Sequence, residues 1–270
     1  MPNLDELIAV ATARDGQPPF SDQSLVDARH GSREVLTRDG ADGTLVAAAI
    51  IRTAGSREAE VVVHPDARRA GLGGSVVAEI MAGGDTVFWA HGDHPGARAL
   101  AARHRLHPVR TLLQMRATVD AAPEPRPNIR VRSFRPGVDD ADWLRLNAAA
   151  FADHPEQGSL TAHDLAARVT EPWFDDDDFL LLSDPNGALV AFAWLKVEDA
   201  LGEFYAVGVD PERQGEGLGR AAVEAGLRRL RHLGITESSL YVEADNVPAV
   251  ALYRSYGFEQ FAIDVQYARS

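Results

Sequence analysis

The residues of this chain whose types and spacing could do chemistry are concentrated around one short loop. Gln214-Gly215-Glu216-Gly217-Leu218-Gly219 stands between a β-branched run and an Ala-rich segment with helical spacing, so it joins a strand to a helix. Its alternating glycines permit a tight turn whose backbone N–H groups converge, and at a helix N-terminus such a nest suits a pyrophosphate. It is not a P-loop, because no Lys-Ser/Thr pair follows the last glycine, nor the dinucleotide pattern G-x-G-x-x-G. Taken alone, it fits a ligand-free turn equally well.

The elements that must hold this loop occur twice. AEVVVHPDARRAGLGGSVVAEI at 59–80 and YAVGVDPERQGEGLGRAAVEAG at 205–226 align at a constant offset of 146, with Val63 on Val209, Pro65 on Pro211, Gly71 on Gly217 and Gly73 on Gly219. Each copy reads strand, loop, helix. Strand-like runs precede the motifs at 44–52 and 188–197. Others follow at 86–90 and 239–242, then a short helix and a closing strand at 111–116 and 260–267. The expected architecture is α/β, two tandem domains that each carry helices on a mixed sheet. VDAAPEPRPN at 119–128 places three prolines in ten residues and divides the copies. The expected organisation is an N-terminal domain at 1–120, a linker at 121–129 and a C-terminal domain at 130–270.

Composition bounds the function. The chain has 270 residues, enough for two cores, with 45% hydrophobic and 25% charged residues, as in ordinary globular proteins. It has no cysteine, which excludes disulfides, thiolate metal sites and a thiol nucleophile. A net charge of -13 disfavours binding to nucleic acid and suits a cationic substrate. No apolar run approaches the ~20 residues of a membrane span. The N-terminus has acidic residues where a signal peptide carries basic ones. The expectation is a cytoplasmic monomer acting on small molecules.

Two clusters invite a metal reading. Asp175 to Asp178 is a carboxylate run, but an acidic loop capping a strand explains it. His91, Asp93 and His94 follow one strand as Glu243, Asp245 and Asn246 follow another, so repeated loop geometry explains them. No metal is expected.

Gln/Arg-x-x-Gly-x-Gly/Ala after a strand ending Val-x-Val-x-Pro resembles the acetyl-CoA signature of the GNAT superfamily of N-acetyltransferases. The resemblance implies acetyl-CoA as acetyl donor, held by Gln214, Gly215, Glu216, Gly217, Leu218, Gly219 and Arg220, and by the backbone of Val207, Gly208 and Val209 on a strand that splays from its neighbour. The N-terminal counterparts are Arg68, Arg69, Ala70, Gly71, Leu72 and Gly73, with Val61, Val62 and Val63. Acetyl transfer to an amine needs a base for the amine and an acid for the leaving thiolate. Glu203 is the only carboxylate between positions 203 and 209, so it is the expected base. Tyr253, in DNVPAVALYRSYGF, falls where the superfamily commonly places the acid. The 146 offset puts Arg57 at the place of Glu203 and shifts Glu58 and Glu60 by odd numbers, which points both to the opposite face. The short helix of the first half, ARALAARHRL, has no tyrosine. The N-terminal domain is therefore expected to keep the cofactor loop, to be catalytically silent and to help shape the substrate site.

Over its whole length the chain further resembles the mycothiol synthases, in DGQPPFSDQ, VVVHPDARRAGLG, FWAHGDHPGARA, NAAAFADHPEQG, GEFYAVGVDPERQGEGLG and LYVEADNVPAV. That family acetylates the cysteine amine of cysteinyl-glucosaminyl-inositol. The resemblance implies substrate contacts by Glu156, Lys196, Glu203 and Tyr241, and by Asp22 in place of a glutamate one methylene longer. It also implies a second cofactor stretch at Asn246, Val247, Pro248, Ala249, Val250 and Ala251. A GNAT enzyme for another amine, and a non-catalytic acyl-CoA-binding module, are the alternatives. The pairing of Glu203 with Tyr253 argues against the second.

Overall fold

The computed structural model describes residues 2–120, 124, 128–152 and 157–269. They form two compact units, one of 1–113 with 243–245 and 262–270, the other of 114–242 with 246–261. The boundaries expected at 120 and 130 follow the chain in order; the compact units do not. The reason is that the end of the chain completes the sheet of the first unit, where an open strand edge would leave backbone groups unpaired. Most of the expected linker lies outside the described residues.

The first unit opens with α1 (Pro2–Asp15), α2 (Asp22–Arg29), β1 (Glu34–Asp39), β2 (Leu45–Arg52) and β3 (Glu58–Val63). There follow α3 (Leu72–Ala82), β4 (Val87–His91), α4 (Pro95–His104) and the first half of β5 (His107–Thr118). Strands β1, β2 and β3 are antiparallel, and β3 pairs parallel with β4. The last strand of the chain, Glu259–Ala268, runs antiparallel to β4 with Asp264 opposite His91 and Tyr267 opposite Phe88.

Both faces of this sheet are covered, so β2 is apolar from Leu45 to Ile51 rather than alternating. Ala47, Ala49, Ile51 and Ala59 pack with Val76, Val77 and Ile80 of α3. Ala48, Ile50 and Val62 pack on the other face with Leu4, Leu7 and Ala11 of α1 and with Phe20. A fully buried Ile or Leu contributes about 1.5–3 kcal/mol.

The second unit contains β6 (Arg130–Ser133), α5 (Asp140–Ala150), α6 (Ala162–Arg168), β7 (Phe179–Ser183), β8 (Leu189–Glu198) and β9 (Leu201–Val209). It continues with α7 (Leu218–His232), β10 (Glu237–Glu243) and α8 (Val247–Arg254), and the last strand is numbered β11. The strand order is β6-β7-β8-β9-β10, antiparallel except for parallel β9 and β10. Under α5 and α6 lies an aromatic core of Phe134, Trp143, Phe179, Phe192 and Trp194, all fully buried. Helix α7 lies on the opposite face, with Phe204 against Gly226 and Gly202 against Leu230.

The strands expected at 44–52, 86–90, 111–116, 188–197, 239–242 and 260–267 are all present, extended by a few residues at most ends. Among the described residues no helix is long and apolar enough to cross a membrane.

Candidate active site

The site is built around β9, which is paired along only part of one edge. Its parallel pairs with β10 run from Leu201 opposite Glu237 to Phe204 opposite Leu240 and stop there, although β9 continues to Val209 and β10 to Glu243. Toward β8 the pairing continues to Val209 opposite Ala191. Val207, Gly208 and Val209 therefore have one edge with no strand partner among the described residues. Such an edge offers N–H and C=O groups to the amides of an extended ligand.

Past Val209 the chain turns through Pro211–Arg213 into the loop. Gly215 (φ 84°) and Gly217 (φ 78°) occupy the left-handed region, which is nearly strain-free only for glycine. Gly217 is the N-cap of α7, and its carbonyl accepts the Ala221 amide. The amides from Gln214 to Arg220 donate to no backbone carbonyl among the described residues. They form a ready anion cradle at the positive end of a 15-residue helix. Glu216 is neutralised by Arg213 through bonds of 2.8 and 2.7 Å, so its carboxylate does not spoil the cradle. Arg220 lies over the ring of Tyr256, 5.5 Å from its centroid. A Cβ on Gly219 would stand 3.3 Å from Leu252, which shows how closely α8 approaches the start of α7.

Asn246 caps α8 by accepting the Ala249 amide at 3.2 Å, and Pro248 stands in the first turn, where its missing N–H costs nothing. Val247 is exposed, Val250 is buried, and Ala251 is exposed. Tyr253 is buried in the same helix, its ring edge-to-face with Phe258 at 5.9 Å, and Phe258 in turn packs on Phe204 at 6.0 Å. Burial pushes its phenol up to about 12, so the proton stays in place at neutral pH.

Glu203 stands directly opposite Lys196, both half-buried on the sheet face that carries α5 and α6. Lys196 also pairs with Glu198 at 2.7 Å. Tyr241 is exposed and receives a hydrogen bond from Gln114 at 3.1 Å. Asp22 is exposed at the first position of α2 in the first unit. Glu156 lies outside the described residues.

Between Trp194 opposite Ala206 and Leu195 opposite Phe204, the register of β8 and β9 steps by one, and Tyr205 is the extra residue of a β-bulge. In the first unit β2 and β3 pair without interruption from Ala47–Val63 to Arg52–Glu58. Counted along the pairs, Glu58 faces Arg52 as Glu203 faces Lys196, and it pairs with Val87 of β4 as Glu203 pairs with Ser239 of β10. The expectation that Arg57 replaces Glu203 and that Glu58 and Glu60 point to the opposite face is therefore corrected. The bulge shifts the correspondence by one residue, and in a strand one residue reverses the face. The two hairpins also differ in length, at 53–57 and 199–200, so no count from either end reveals the extra residue. Tyr205, with Trp173 and Arg168 that touch it, carried no signal in the sequence, because these contacts join residues distant along the chain.

The two carboxylates of β3 pair with side chains of the same unit. Glu58 pairs with Arg52 at 2.6 Å. Glu60, almost fully buried, accepts the Ser21 amide and pairs with His91 Nε2 at 3.1 Å, while His91 Nδ1 meets Asp264 at 3.3 Å. Burial alone would lower the imidazole, but the hydrogen bonds it donates to Asp264 and Glu60 outweigh it and raise His91 to about 10. The open edge recurs, since β3 and β4 pair only from Glu58 to Glu60 while Val61 and Val63 pack toward α3 and Val62 toward α1. Gly71 again caps the helix at φ 88°, with Ala70 exposed, Leu72 half-buried and Gly73 close to Leu100. Arg69, however, occupies at φ 68° the place of Gly215. Arg68 is committed to a two-bond pair with Asp15 and to the Val63 carbonyl.

The remaining clusters have structural partners. Asp178 is buried against Arg229 at 2.7 Å, and Asp177 accepts the Ser133 hydroxyl just before β7. Asp93 accepts from Tyr267 and Arg98, and His94 caps α4 through the Gly96 amide. Among the described residues no group of three or more His, Asp or Glu could hold a metal ion.

The model of the acetyltransferase (GNAT) family matches residues 143–258, from within α5 to the residue before β11. Among solved structures the chain resembles a GCN5-related N-acetyltransferase from Sphaerobacter thermophilus, at 23% identity and TM-score 0.82 over 99% of this chain and 91% of that one. It also resembles a tandem GNAT protein from the clavulanic acid biosynthesis pathway, at 18% identity and TM-score 0.70 over 98% and 94%. These likenesses show the fold. The chain is 47% identical to the mycothiol acetyltransferase of Clavibacter michiganensis subsp. michiganensis, over 96% of this chain and 88% of that protein. It is 43% identical to the mycothiol acetyltransferase of Kocuria rhizophila, over 99% and 96%. Similarity of this degree across both units means that the chain belongs to the mycothiol acetyltransferase family and is an acetyl-CoA-dependent N-acetyltransferase of GNAT fold.

Proposed function

We propose that this protein, a cytoplasmic monomer, transfers the acetyl group of acetyl-CoA to the cysteine amine of cysteinyl-glucosaminyl-inositol, giving mycothiol and free CoA. Acetyl-CoA supplies the activated acyl group and a thiolate leaving group. The cradle from Gln214 to Arg220 suits its pyrophosphate, the open edge of Val207 to Val209 its amide-bearing arm, and Asn246 to Ala251 the end of the site nearest α8. Glu203, directly or through one water, takes the proton that the amine loses as its nitrogen bonds to the acyl carbon. Tyr253 gives its phenolic proton to the sulfur as the carbon–sulfur bond breaks. Each proton transfer is worth about 10²–10⁴ in rate. Lys196, Tyr241, Glu156 and Asp22 contact the acceptor.

The observation that carries this reading is the placement of Glu203 opposite Lys196, beside the edge of β9 that β10 leaves open. The first unit, with no tyrosine on α4, is catalytically silent in this reading, at most a second acetyl-CoA site. The test is release of free CoA from acetyl-CoA with cysteinyl-glucosaminyl-inositol, an aminoglycoside or a polyamine as acceptor. Strong turnover with the first alone is expected. Turnover confined to another amine would overturn the acceptor and keep the chemistry.

A further inference from the structure

The aromatic core of the second unit does not stop at the surface. From Trp194, fully buried, it continues outward to Trp173 at 5.9 Å and Tyr205 at 5.2 Å, both half-buried and 5.1 Å from each other. Two cations converge on these outer rings. The ammonium of Lys196 lies 5.5 Å from the Trp173 ring centroid, and Arg168 Nε donates to the Tyr205 hydroxyl at 3.1 Å. A ring that served the core alone would need neither, whereas a binding wall combines aromatic faces with a few fixed polar groups. The bulge puts Tyr205 toward the α6 side along with Ala206, on the face of Glu203 and Lys196.

A pyranose ring has that pair of properties in reverse, with apolar C–H faces that suit an aromatic surface and a rim of hydroxyls that suits ammonium and guanidinium donors. Resting on the acceptor proposed above, we infer that Trp173 and Tyr205 form the wall that receives the sugar ring, and that this wall sets the preference for a glycosylated acceptor. Arg168 is a positioning residue that fixes the Tyr205 ring.

The test compares the acceptor cysteinyl-glucosaminyl-inositol with cysteinamide, which presents the same amine without a sugar, in the intact protein and in Trp173→Ala and Trp173→Phe. In Trp173→Ala, kcat/KM for the glycoside is expected to fall by roughly tenfold or more, mostly through KM. KM for acetyl-CoA and kcat/KM for cysteinamide should stay within about twofold, as the check on folding. Trp173→Phe, which keeps a ring and the core packing, should recover part of the loss. Equal losses for both acceptors, or an undiminished preference for the glycoside in Trp173→Ala, would overturn the wall. No preference for the glycoside in the unsubstituted protein would instead overturn the acceptor on which it rests.

Discussion

Over the stretch they share, strand β9 of the second unit carries one residue more than β3 of the first, and that residue shifts the register between the two copies of the motif. In β9 the bulge at Tyr205 holds Glu203 opposite Lys196, whereas in the unbroken β3 the equivalent Glu58 meets Arg52 in an ion pair. Two positions on, β3 carries Glu60, buried against His91, where β9 carries the small Ala206. A carboxylate at the right register is thus common to both units. What differs is the company along the strand, Tyr205 with Trp173 and Ala206 in the second unit and the buried Glu60–His91 pair in the first.

The comparison is broken or sharpened most directly at those carboxylates. Glu203→Gln is expected to lower kcat/KM by about 10²-fold or more, while Glu58→Gln changes it less than about twofold. Steady-state rates across pH would test both, and equal losses would show that the two units share the work. Tyr253→Phe should lower kcat by about 10²-fold with little change in KM for acetyl-CoA, because the phenol acts only as the sulfur leaves. An unchanged kcat would remove the acid from the mechanism.

The first unit should reveal its internal ion cluster in stability rather than in rate. Histidine titrates near 6.5 in an unfolded chain and His91 near about 10 in the fold. A raised pKa stabilises fully below the unfolded value and ceases to do so as pH rises through the folded one. The urea midpoint of the intact protein should therefore fall between pH ~6.5 and ~10 by more than that of His91→Gln, which cannot gain a proton there. Parallel curves would show that Glu60 and Asp264 do not hold a charged imidazole. The smallest effect is expected at the loop. Arg69→Gly puts at φ 68° the residue that its counterpart Gly215 already supplies and should stabilise by up to about 1 kcal/mol, read as a higher urea midpoint at constant slope.

The strand runs, the turn glycines and the repeated motif are local patterns, set by side-chain period and by the backbone freedom of glycine, so they were legible before any coordinates. That is why Gln214 to Gly219, the strand carrying Val207 to Val209 and the helix carrying Tyr253 could be located from the chain alone. The bulge is different in kind, because an extra residue is defined only against the strand it faces. An offset of 146 between the motifs is sound above Tyr205 and wrong by one below it, so counting by it puts Glu58 on the wrong face.

Residue types and spacing by themselves determined the two α/β copies, the anion cradle and the absence of cysteine chemistry, since each depends on neighbours within a few positions. Tertiary structure alone decided which carboxylates have built-in cations, which aromatic rings reach the surface beside Lys196, and which sheet the last strand joins. Those outcomes depend on pairings such as His91 with Asp264 and Arg168 with Tyr205, between residues that strand register and helix packing bring together from distant parts of the chain.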